Sequence, residues 1–397
     1  MNPSPSRSGS GRRPDVIVRG AGIVGQTLAL LLARDRLKVA LVKPPRATPG
    51  TPDVRAYAIN SDARALLQSV RAWPGDVGLN PGHDAELTPS VTPVTAMEVH
   101  GDHGGTLHFS AAQQGTEALT WIVDVPALEQ RLAHAVHFQA GIELLEEAPA
   151  QAPLTVICEG RRSQTRQELG IDYDTRPYPH KALAARLDCE QPHGGVARQW
   201  FSQGEIMALL PLGGAQGNSV ALVWSLETAQ ADRWLNEPPQ ALATAVQERC
   251  GHALGAMTLQ GPAQAWPLEL ARARRWIAAT DRGGVALAGD AAHAMHPLAG
   301  QGLNVGLGDV GELARVLHER EYWRNVGDLK LLRRYERARQ ADVQSMGWLT
   351  DTLFGLFQPG DSRLQALRNW GMSGVDRLGP LKHWLVRQAM GRASANP

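Results

Sequence analysis

The sequence has few cysteines, almost no net charge and no long apolar run. Its three cysteines lie far apart and form no C-x-x-C pair, so they indicate neither a zinc site nor a disulfide framework. The 40 basic and 39 acidic side chains leave a net charge of +1, which argues against a nucleic-acid-binding protein. No run of about 18 apolar residues occurs, so no membrane-spanning helix is expected. The cysteine pattern fits a protein of the reducing cytoplasm best.

The length and the first residues bear on domain organisation. With 397 residues the chain exceeds the size at which one hydrophobic core stops growing, so two closely packed domains are expected. Residues 1–14 are rich in Pro, Ser and Gly and contain no apolar stretch. They are therefore predicted to form a disordered tail rather than a signal peptide.

A glycine-rich loop follows the tail. The spacing G-x-G-x-x-G, with Gly20, Gly22 and Gly25, lies between a predicted strand at 15–19 and an apolar helix, and a second strand is predicted at 38–42. Such glycines allow a tight turn and let a pyrophosphate approach the helix N-terminus, so the pattern predicts a dinucleotide site. Lys43 stands where the fingerprint has an acidic residue for the ribose, so the affinity for the cofactor is an open question. Residues 56–70 are predicted to be helical.

Two further glycine-containing segments occur later in the chain. Residues 288–293 read Ala-Gly-Asp-Ala-Ala-His and follow a predicted strand, and residues 297–304 read Pro-Leu-Ala-Gly-Gln-Gly-Leu-Asn and lead into a predicted helix. Taken singly, Asp290 could be a helix cap and the glycines turn residues. His293 and His296 could be a metal pair, although no third ligand follows at helical spacing, so no metal is predicted.

Together these segments resemble the flavin signatures of the para-hydroxybenzoate hydroxylase class of flavoprotein monooxygenases. Segments 53–60, 121–128, 209–212 and 223–225 narrow the resemblance to the FAD-dependent aromatic-ring hydroxylases of ubiquinone biosynthesis. By this resemblance the cofactor-binding residues are Gly20, Gly22, Gly25, Lys43, Arg55, Arg131, Glu159, Gly160, Arg166, Gly289, Asp290, Gly302, Leu303 and Asn304. It also implies that Pro297, Gly300 and Gln301 form the catalytic centre beside the flavin.

Two of these positions carry particular expectations. Glu159 stands where the family has an aspartate, so a carboxylate is kept but displaced by one methylene group. Arg55 is expected near the flavin, although it could instead pair with Asp53 or Asp62 at the surface.

The order of strands and helices predicts an α/β fold in which a Rossmann-like FAD-binding domain is interleaved with an antiparallel-sheet substrate domain, followed by a helical C-terminus. The FAD-binding domain is predicted to comprise residues 15–72, 121–175 and 271–345. The substrate domain is predicted at 73–120 and 176–270, and the C-terminal helical segment at 346–397.

The resemblance also implies a reaction. NAD(P)H would reduce FAD, O2 would form a flavin C4a-hydroperoxide, and one oxygen atom would pass to the ring of a polyprenylated phenol, with the chemistry carried by the cofactor. Such a substrate implies a peripheral position at the inner membrane or association with a quinone-synthesis complex, and the oligomeric state stays open. The basic amphipathic stretch from Asp361 onward could sit on lipid or pack against its own domain.

Two other interpretations remain. The chain could hydroxylate a soluble phenol, as catabolic enzymes of the wider class do. Alternatively, it could be a flavin-poor structural subunit of a quinone-synthesis complex, an idea motivated by Lys43 and Glu159.

Overall fold

The computed structural model describes residues 13–45, 53–75, 90–101, 105–202, 204–294 and 302–357, with the backbone alone for residues 344–357. The predicted N-terminal tail lies almost wholly outside these ranges, as does the C-terminal segment beyond residue 357. Within them no helix is long and apolar enough to span a bilayer.

The regular elements alternate along the chain as a mixed α/β protein. The strands are β1 (Val16–Arg19), β2 (Val39–Val42), β3 (Ala56–Ile59), β4 (Val91–Val94), β5 (Ala96–His100), β6 (Thr106–Ser110), β7 (Thr120–Asp124), β8 (Ile142–Leu145), β9 (Leu154–Ile157), β10 (Tyr173–Cys189), β11 (Val196–Ser202), β12 (Glu205–Leu212), β13 (Ser219–Glu227), β14 (Met257–Leu259), β15 (Gln264–Ala273), β16 (Ile277–Thr280), β17 (Gly283–Leu287) and β18 (His293–Ala294). The helices are α1 (Ile23–Arg34), α2 (Ser61–Ser69), α3 (Val125–Phe138), α4 (Gln164–Glu168), α5 (Thr228–Asn236), α6 (Pro239–Arg249), α7 (Gly302–His318) and α8 (Leu329–Phe357). Short 3₁₀ turns occur at Ala112–Gln114 and Gly289–Ala291.

The first sheet is the parallel one. Its order is β16-β17-β9-β1-β2-β8, and all neighbours are parallel except the edge strand β16, which runs antiparallel to β17. Its central strand is apolar at successive positions because helices and loops cover a parallel sheet on both faces, and Val16 and Val18 are fully buried. Helix α1 packs against α3 and α7, and the three helices share one core with the sheet.

The second sheet is larger and mostly antiparallel. Its order is β18-β15-β10-β13-β12-β11-β5-β6, with β14 also pairing with β10. Alternation along β13 gives the sheet two different faces. Val220, Leu222, Trp224 and Leu226 pack in the core that α6 completes with Leu242, Ala243 and Val246. The opposite face of β13 carries smaller side chains and faces a cavity between this sheet and the first one.

A third sheet, with order β3-β7-β4, joins the other two. Ala56 and Ile122 from this sheet pack in one cluster with Ala197, Leu212 and Ala221 of the second sheet. The predicted helix at 56–70 is wrong for its first four residues, which form β3. The element changes at Asn60, which has extended dihedral angles and whose Oδ1 accepts a hydrogen bond from Ala63 N at 2.9 Å, so that α2 starts only at Ser61.

These sheets confirm the predicted fold class, in which a parallel dinucleotide-type sheet is interleaved with an antiparallel one and the chain becomes helical towards its end. The assignment of residues 15–72, 121–175 and 271–345 to one domain and of 73–120 and 176–270 to the other stays a prediction, and we propose it as the domain organisation.

A buried ion network holds together the end of the first sheet and the last two helices. Asp309 of α7 is fully buried, and its carboxylate accepts hydrogen bonds from Gly289 N at 2.9 Å, His293 Nε2 at 2.7 Å and Arg339 Nε at 2.8 Å. Burial alone would raise the pKa of Asp309, but His293 and Arg339 outweigh it and lower the pKa below its usual value. Arg339 also donates to Val305 O at 3.1 Å, so one carboxylate connects Gly289, β18, α7 and α8.

Replacement of Asp309 by alanine is predicted to destabilise the protein strongly. The substitution leaves the buried Arg339 and His293 without their shared acceptor, and such a loss costs about 3–5 kcal/mol of unfolding free energy. Because the pKa of Asp309 is lowered, its contribution is present at neutral pH and disappears as the pH falls through that lowered pKa. Urea denaturation at neutral and acidic pH measures both effects.

Glu312→Ala on the same helix is the control. Glu312 pairs with the exposed Arg315 at 2.7 Å, and a surface pair of this kind contributes at most about 1 kcal/mol. If Asp309→Ala were no more destabilising than Glu312→Ala, the network would not have the importance assigned to it.

Candidate functional site

Glycine stands at the three positions of the first loop for three different structural reasons. Gly20 has φ of +105°, and a Cβ there would lie 2.4 Å from the carbonyl oxygen of Cys158. At Gly25 a Cβ would lie 1.9 Å from Gly20 O. Gly22, by contrast, caps α1 with φ of −78°, and no atom of the described residues lies within 4 Å of the position that its Cβ would take. The chain itself therefore requires the outer two glycines, whereas the middle one keeps space free in front of the helix.

That free space belongs to a cavity of about 510 Å³ between the first and second sheets. Gly22, Gly160, Asp290, Gly302 and Leu303 lie on its first-sheet side. As at Gly22, a Cβ at Gly302 would meet no atom of a described residue within 4 Å. Neither position has a left-handed φ, so neither the backbone nor the packing among the described residues explains these two glycines. A ligand that approaches the backbone closely would explain both.

Asp290 presents a carboxylate to the cavity. Its side chain has accessible surface at the cavity, but protein surrounds the carboxyl group on most sides. This burial raises the pKa of Asp290, and the charges of His293 and Arg161 oppose the shift more weakly. The backbone oxygen of Asp290 accepts a hydrogen bond from Tyr173 Oη at 2.7 Å, which fixes the loop. Within the described part of the chain the carboxylate itself receives no hydrogen bond, so it is available to accept from hydroxyl groups of a ligand.

Glu159 lies in a tight polar cluster rather than in the cavity wall. Its carboxylate accepts hydrogen bonds from Arg19 Nε at 3.0 Å, Ser163 Oγ at 2.7 Å, Thr165 Oγ1 at 2.6 Å and Thr165 N at 3.1 Å. Burial favours a higher pKa, but these donors together lower the pKa of Glu159. The glutamate thus fixes the start of α4 to the end of β1, and the adjacent Gly160 reaches the cavity.

Arg166 holds the same segment from the other side. It is buried and donates hydrogen bonds to Ala291 O at 3.0 Å and Arg161 O at 2.8 Å, with its guanidinium 3.6 Å from the centre of the Tyr173 ring. Its contacts connect the segment 159–166 to the turn that contains Gly289 and Asp290. Cavity-facing residues of two motifs are therefore held in place by side chains that do not line the cavity themselves.

Of three further residues predicted to bind the cofactor, one lines the cavity and two lie outside its lining. Arg55 lines the cavity and forms a forked pair with Asp53, with its closest contact at 2.5 Å; its expected position near the flavin stays a prediction. Lys43 is exposed at the end of β2, outside the cavity lining. Arg131 lies on α3, also outside the lining, and its buried Nε has no hydrogen-bond partner among the described residues.

The start of α7 is built into the site by Asn304. Its Nδ2 donates to Ala58 O at 2.7 Å and its Oδ1 accepts from Asn60 N at 3.1 Å, which fastens α7 to β3 and α2. Gly302 and Leu303, two positions and one position earlier, line the cavity. The positive end of this helix therefore lies at the cavity. Pro297, Gly300 and Gln301 lie outside the described residues, as does His296, so the catalytic assignment stays a prediction.

The sequence did not predict the wall of the cavity that lies opposite the glycines. It is formed by the second sheet and consists mainly of small or apolar side chains, among them Ala182, Ala184, Ala197, Gln199, Ile206, Ala208, Leu210, Ala221, Val223, Ser225 and Trp266. The available signal was the alternation of small and large residues along β10 and β13. That signal identifies two faces of a strand but not which face meets a cavity.

Comparison with known proteins gives a consistent result. Residues 120–347 match the family described as the FAD binding domain. The chain is 30% identical to ubiquinone hydroxylase UbiL of Rhodospirillum rubrum, with 96% of this chain and 91% of that protein aligned. It is 29% identical to 3-demethoxyubiquinol 3-hydroxylase of Escherichia coli, over 95% of this chain and 98% of that protein.

Solved structures show the same fold at lower identity. PqsL of Pseudomonas aeruginosa in complex with 2-aminobenzoylacetate superposes with a TM-score of 0.72 at 21% identity, covering 91% of this chain and 100% of that one. For p-nitrophenol 4-monooxygenase PnpA of Pseudomonas putida the TM-score is 0.70 at 16% identity, with 96% and 99% covered. Since the family match spans more than half of the chain and the relatives align with nearly all of it, the chain belongs to the FAD binding domain family and, within it, to the FAD-dependent aromatic-ring hydroxylases of ubiquinone biosynthesis.

Proposed function

We propose that this protein hydroxylates the aromatic ring of a polyprenylated ubiquinone precursor, with FAD as cofactor and NAD(P)H and O2 as co-substrates. The observation that carries the proposal is the cavity between the two sheets. One of its walls has the glycines, the free carboxylate and the helix start suited to a dinucleotide, and the other has the small apolar side chains suited to an uncharged ring. The names of the two relatives, a ubiquinone hydroxylase and a demethoxyubiquinol hydroxylase, support the same substrate class.

The residues of the first wall fit FAD. The pyrophosphate would lie over Gly22 at the start of α1, where free N–H groups and the helix dipole favour an anion. Asp290 would accept hydrogen bonds from the hydroxyl groups of the ribityl chain. The start of α7 at Gly302 and Leu303 would stabilise negative charge on the flavin ring. When bound, FAD supplies the redox chemistry that connects NAD(P)H oxidation to the activation of O2.

The residues of the second wall would bind and shield the substrate ring. Ala184, Ala208 and Val223 leave room for a ring beside the flavin and offer no polar group to hold water there. Exclusion of water protects a reactive oxygen donor from side reactions. Glu159 and Arg166 would act indirectly, since their hydrogen bonds fix the loops that carry the cavity-facing residues.

The polyprenyl chain of such a substrate partitions into lipid, and we therefore propose a peripheral association with the inner membrane on its cytoplasmic side. The basic stretch from Asp361 onward, for which lipid binding or packing against its own domain is predicted, lies outside the described residues. Its role stays a prediction, as do association with a quinone-synthesis complex and the oligomeric state.

Substitution of Gly22 or Gly302 by alanine tests the FAD position proposed at these two helix starts. Because a Cβ at either position contacts no described residue within 4 Å, the folded protein should lose no more than about 1 kcal/mol of stability. The added methyl groups occupy the space assigned to FAD, so FAD affinity should fall by about 10-fold or more, the equivalent of about 1.4 kcal/mol. Titration with FAD, followed by flavin fluorescence, and thermal melting measure the two properties.

Gly20→Ala provides the contrast, because its Cβ would collide with the backbone at Cys158. That variant should lose stability as well as FAD. If Gly22→Ala and Gly302→Ala bound FAD as the unsubstituted protein does, the proposed cofactor position would be wrong.

Asp290→Asn is predicted to separate stability from cofactor binding. Burial raises the pKa of Asp290, so its charged form costs folding free energy at neutral pH, and this cost vanishes below the unfolded-state pKa of about 4. The FAD-free variant should therefore melt at a higher temperature than the unsubstituted protein at neutral pH, and the difference should shrink as the medium is acidified. FAD affinity should fall, because an amide accepts hydroxyl hydrogen bonds less strongly than a carboxylate.

Asp281→Asn, in the exposed turn between β16 and β17, is the control and should change neither property. Unchanged FAD affinity in Asp290→Asn would exclude the ribityl-binding role.

The activity itself can be tested with purified protein, FAD, NADH or NADPH, and isotopically labelled O2. We expect a short prenylated phenol to stimulate NAD(P)H oxidation and to gain one labelled oxygen atom in its ring. Stimulation by 4-hydroxybenzoate and not by the prenylated phenol would instead favour a soluble substrate. Absence of FAD binding, with copurifying protein partners, would favour the structural-subunit interpretation.

A further inference from the structure

The apolar wall of the cavity contains a hydroxyl group without a partner. Ser219, Ala221, Val223 and Ser225 alternate on one face of β13, and the last three of them line the cavity. Ser225 is only 6% exposed, and its Oγ is itself covered by protein and forms no hydrogen bond with any described residue. Buried hydroxyl groups are normally paired, so one left free in a cavity-lining residue points to a ligand as the missing partner, which the hydroxyl reaches when the side chain turns about its Cα–Cβ bond to another staggered rotamer.

The neighbours of Ser225 cannot supply that partner. Its register partners are Ala182 on β10 and Ile206 on β12, whose side chains carry no polar atom. The next residue in the same row, opposite Ala182, is Trp266 of β15, which also lines the cavity. The hydroxyl group is therefore the one oxygen-bearing side-chain group in this row, beside the apolar side chains of Ala182 and Ile206 and the indole of Trp266.

The charges around the cavity restrict what the ligand can be. The cavity-lining arginines of the described chain are Arg55 and Arg161, and both are paired with acids, Arg55 with Asp53 at 2.5 Å and Arg161 with Glu269 at 3.1 Å. A carboxylate-bearing ring would have to break one of these pairs to be neutralised. A neutral oxygen substituent needs only a hydrogen bond, which Ser225 can donate or accept.

We propose that Ser225 binds a neutral oxygen substituent, a hydroxyl or methoxy group, on the aromatic ring of the substrate, and that it thereby positions the ring and favours uncharged phenols over benzoates. This inference rests on the proposed function and adds a residue that determines substrate specificity. It assigns to the Val223-Trp224-Ser225 segment a role that cofactor binding does not explain.

Ser225→Ala and Ser219→Ala form a matched pair for the test. Ser219 lies on the same face of the same strand, is also buried, and does not line the cavity. Unlike Ser225, it has an internal partner, because its Oγ donates to Asp188 Oδ1 at 2.6 Å. The two substitutions remove the same atom from the same strand, one with and one without a partner in the protein.

The experiment measures binding of 2-prenylphenol and of prenylbenzene, which lacks the oxygen, to the FAD-loaded oxidised protein by calorimetry, without NAD(P)H. We expect Ser225→Ala to weaken 2-prenylphenol binding by about 5-fold, the typical effect of one hydrogen bond, and to leave prenylbenzene binding unchanged. Ser219→Ala should alter neither affinity. In the ligand-free protein, Ser219→Ala should lower the melting temperature, whereas Ser225→Ala should leave it unchanged or raise it.

Three outcomes would overturn the inference while the proposed function stands. These are equal binding of 2-prenylphenol by Ser225→Ala and the unsubstituted protein, an equal loss of affinity for both probes, and a melting temperature of Ser225→Ala as low as that of Ser219→Ala. Failure of the unsubstituted FAD-loaded protein to bind 2-prenylphenol at all would contradict the proposed function itself, and the inference with it.

Discussion

The carboxylate of Asp309 is the constraint on which the site depends. It is fully buried, and it accepts hydrogen bonds from the backbone at Gly289 and from side chains of β18 and α8. Two parts of the cavity wall, the turn with Asp290 and the start of α7, are thus fixed relative to each other from behind. A buried carboxylate is tolerated here because two basic groups contact it directly, and the same contacts make the arrangement hard to deform.

Two aspartates of neighbouring segments consequently have opposite properties. Burial opposes the ionisation of both, but Asp309 is compensated by His293 and Arg339, and its pKa is lowered. Asp290 lacks such compensation, and its pKa is raised. The protein thus supplies hydrogen-bond donors to the carboxylate of Asp309, whereas no described residue donates to the cavity-facing carboxylate of Asp290. A polar group at a cavity that has no hydrogen-bond partner in the protein can find one in a ligand. Ser225, on the opposite wall, is a second group of this kind among the described residues.

How far the sequence predicts these features depends on whether the cause is local. The glycine loop and the α/β fold follow from local turn geometry and hydrophobic periodicity, and both were predictable. The strand ahead of Asn60 was missed because its pairing partner, β7, lies some sixty residues further along the chain. The binding of Glu159 by Arg19 and the pairing of Asp309 with Arg339 also depend on long-range contacts that no spacing rule contains. Ser225 was noticed only as part of a familiar segment, because a missing partner is visible only once the neighbours are known.

The open space at Gly22 and Gly302 has an evolutionary consequence. Neither φ nor packing among the described residues demands glycine at these two helix starts, and only a capping preference of about 1 kcal/mol separates it from alanine there. Selection for folding alone would therefore retain these glycines only weakly. A homologue that had lost the cofactor but kept the fold would therefore show other residues at positions 22 and 302 before its core or its sheets had changed.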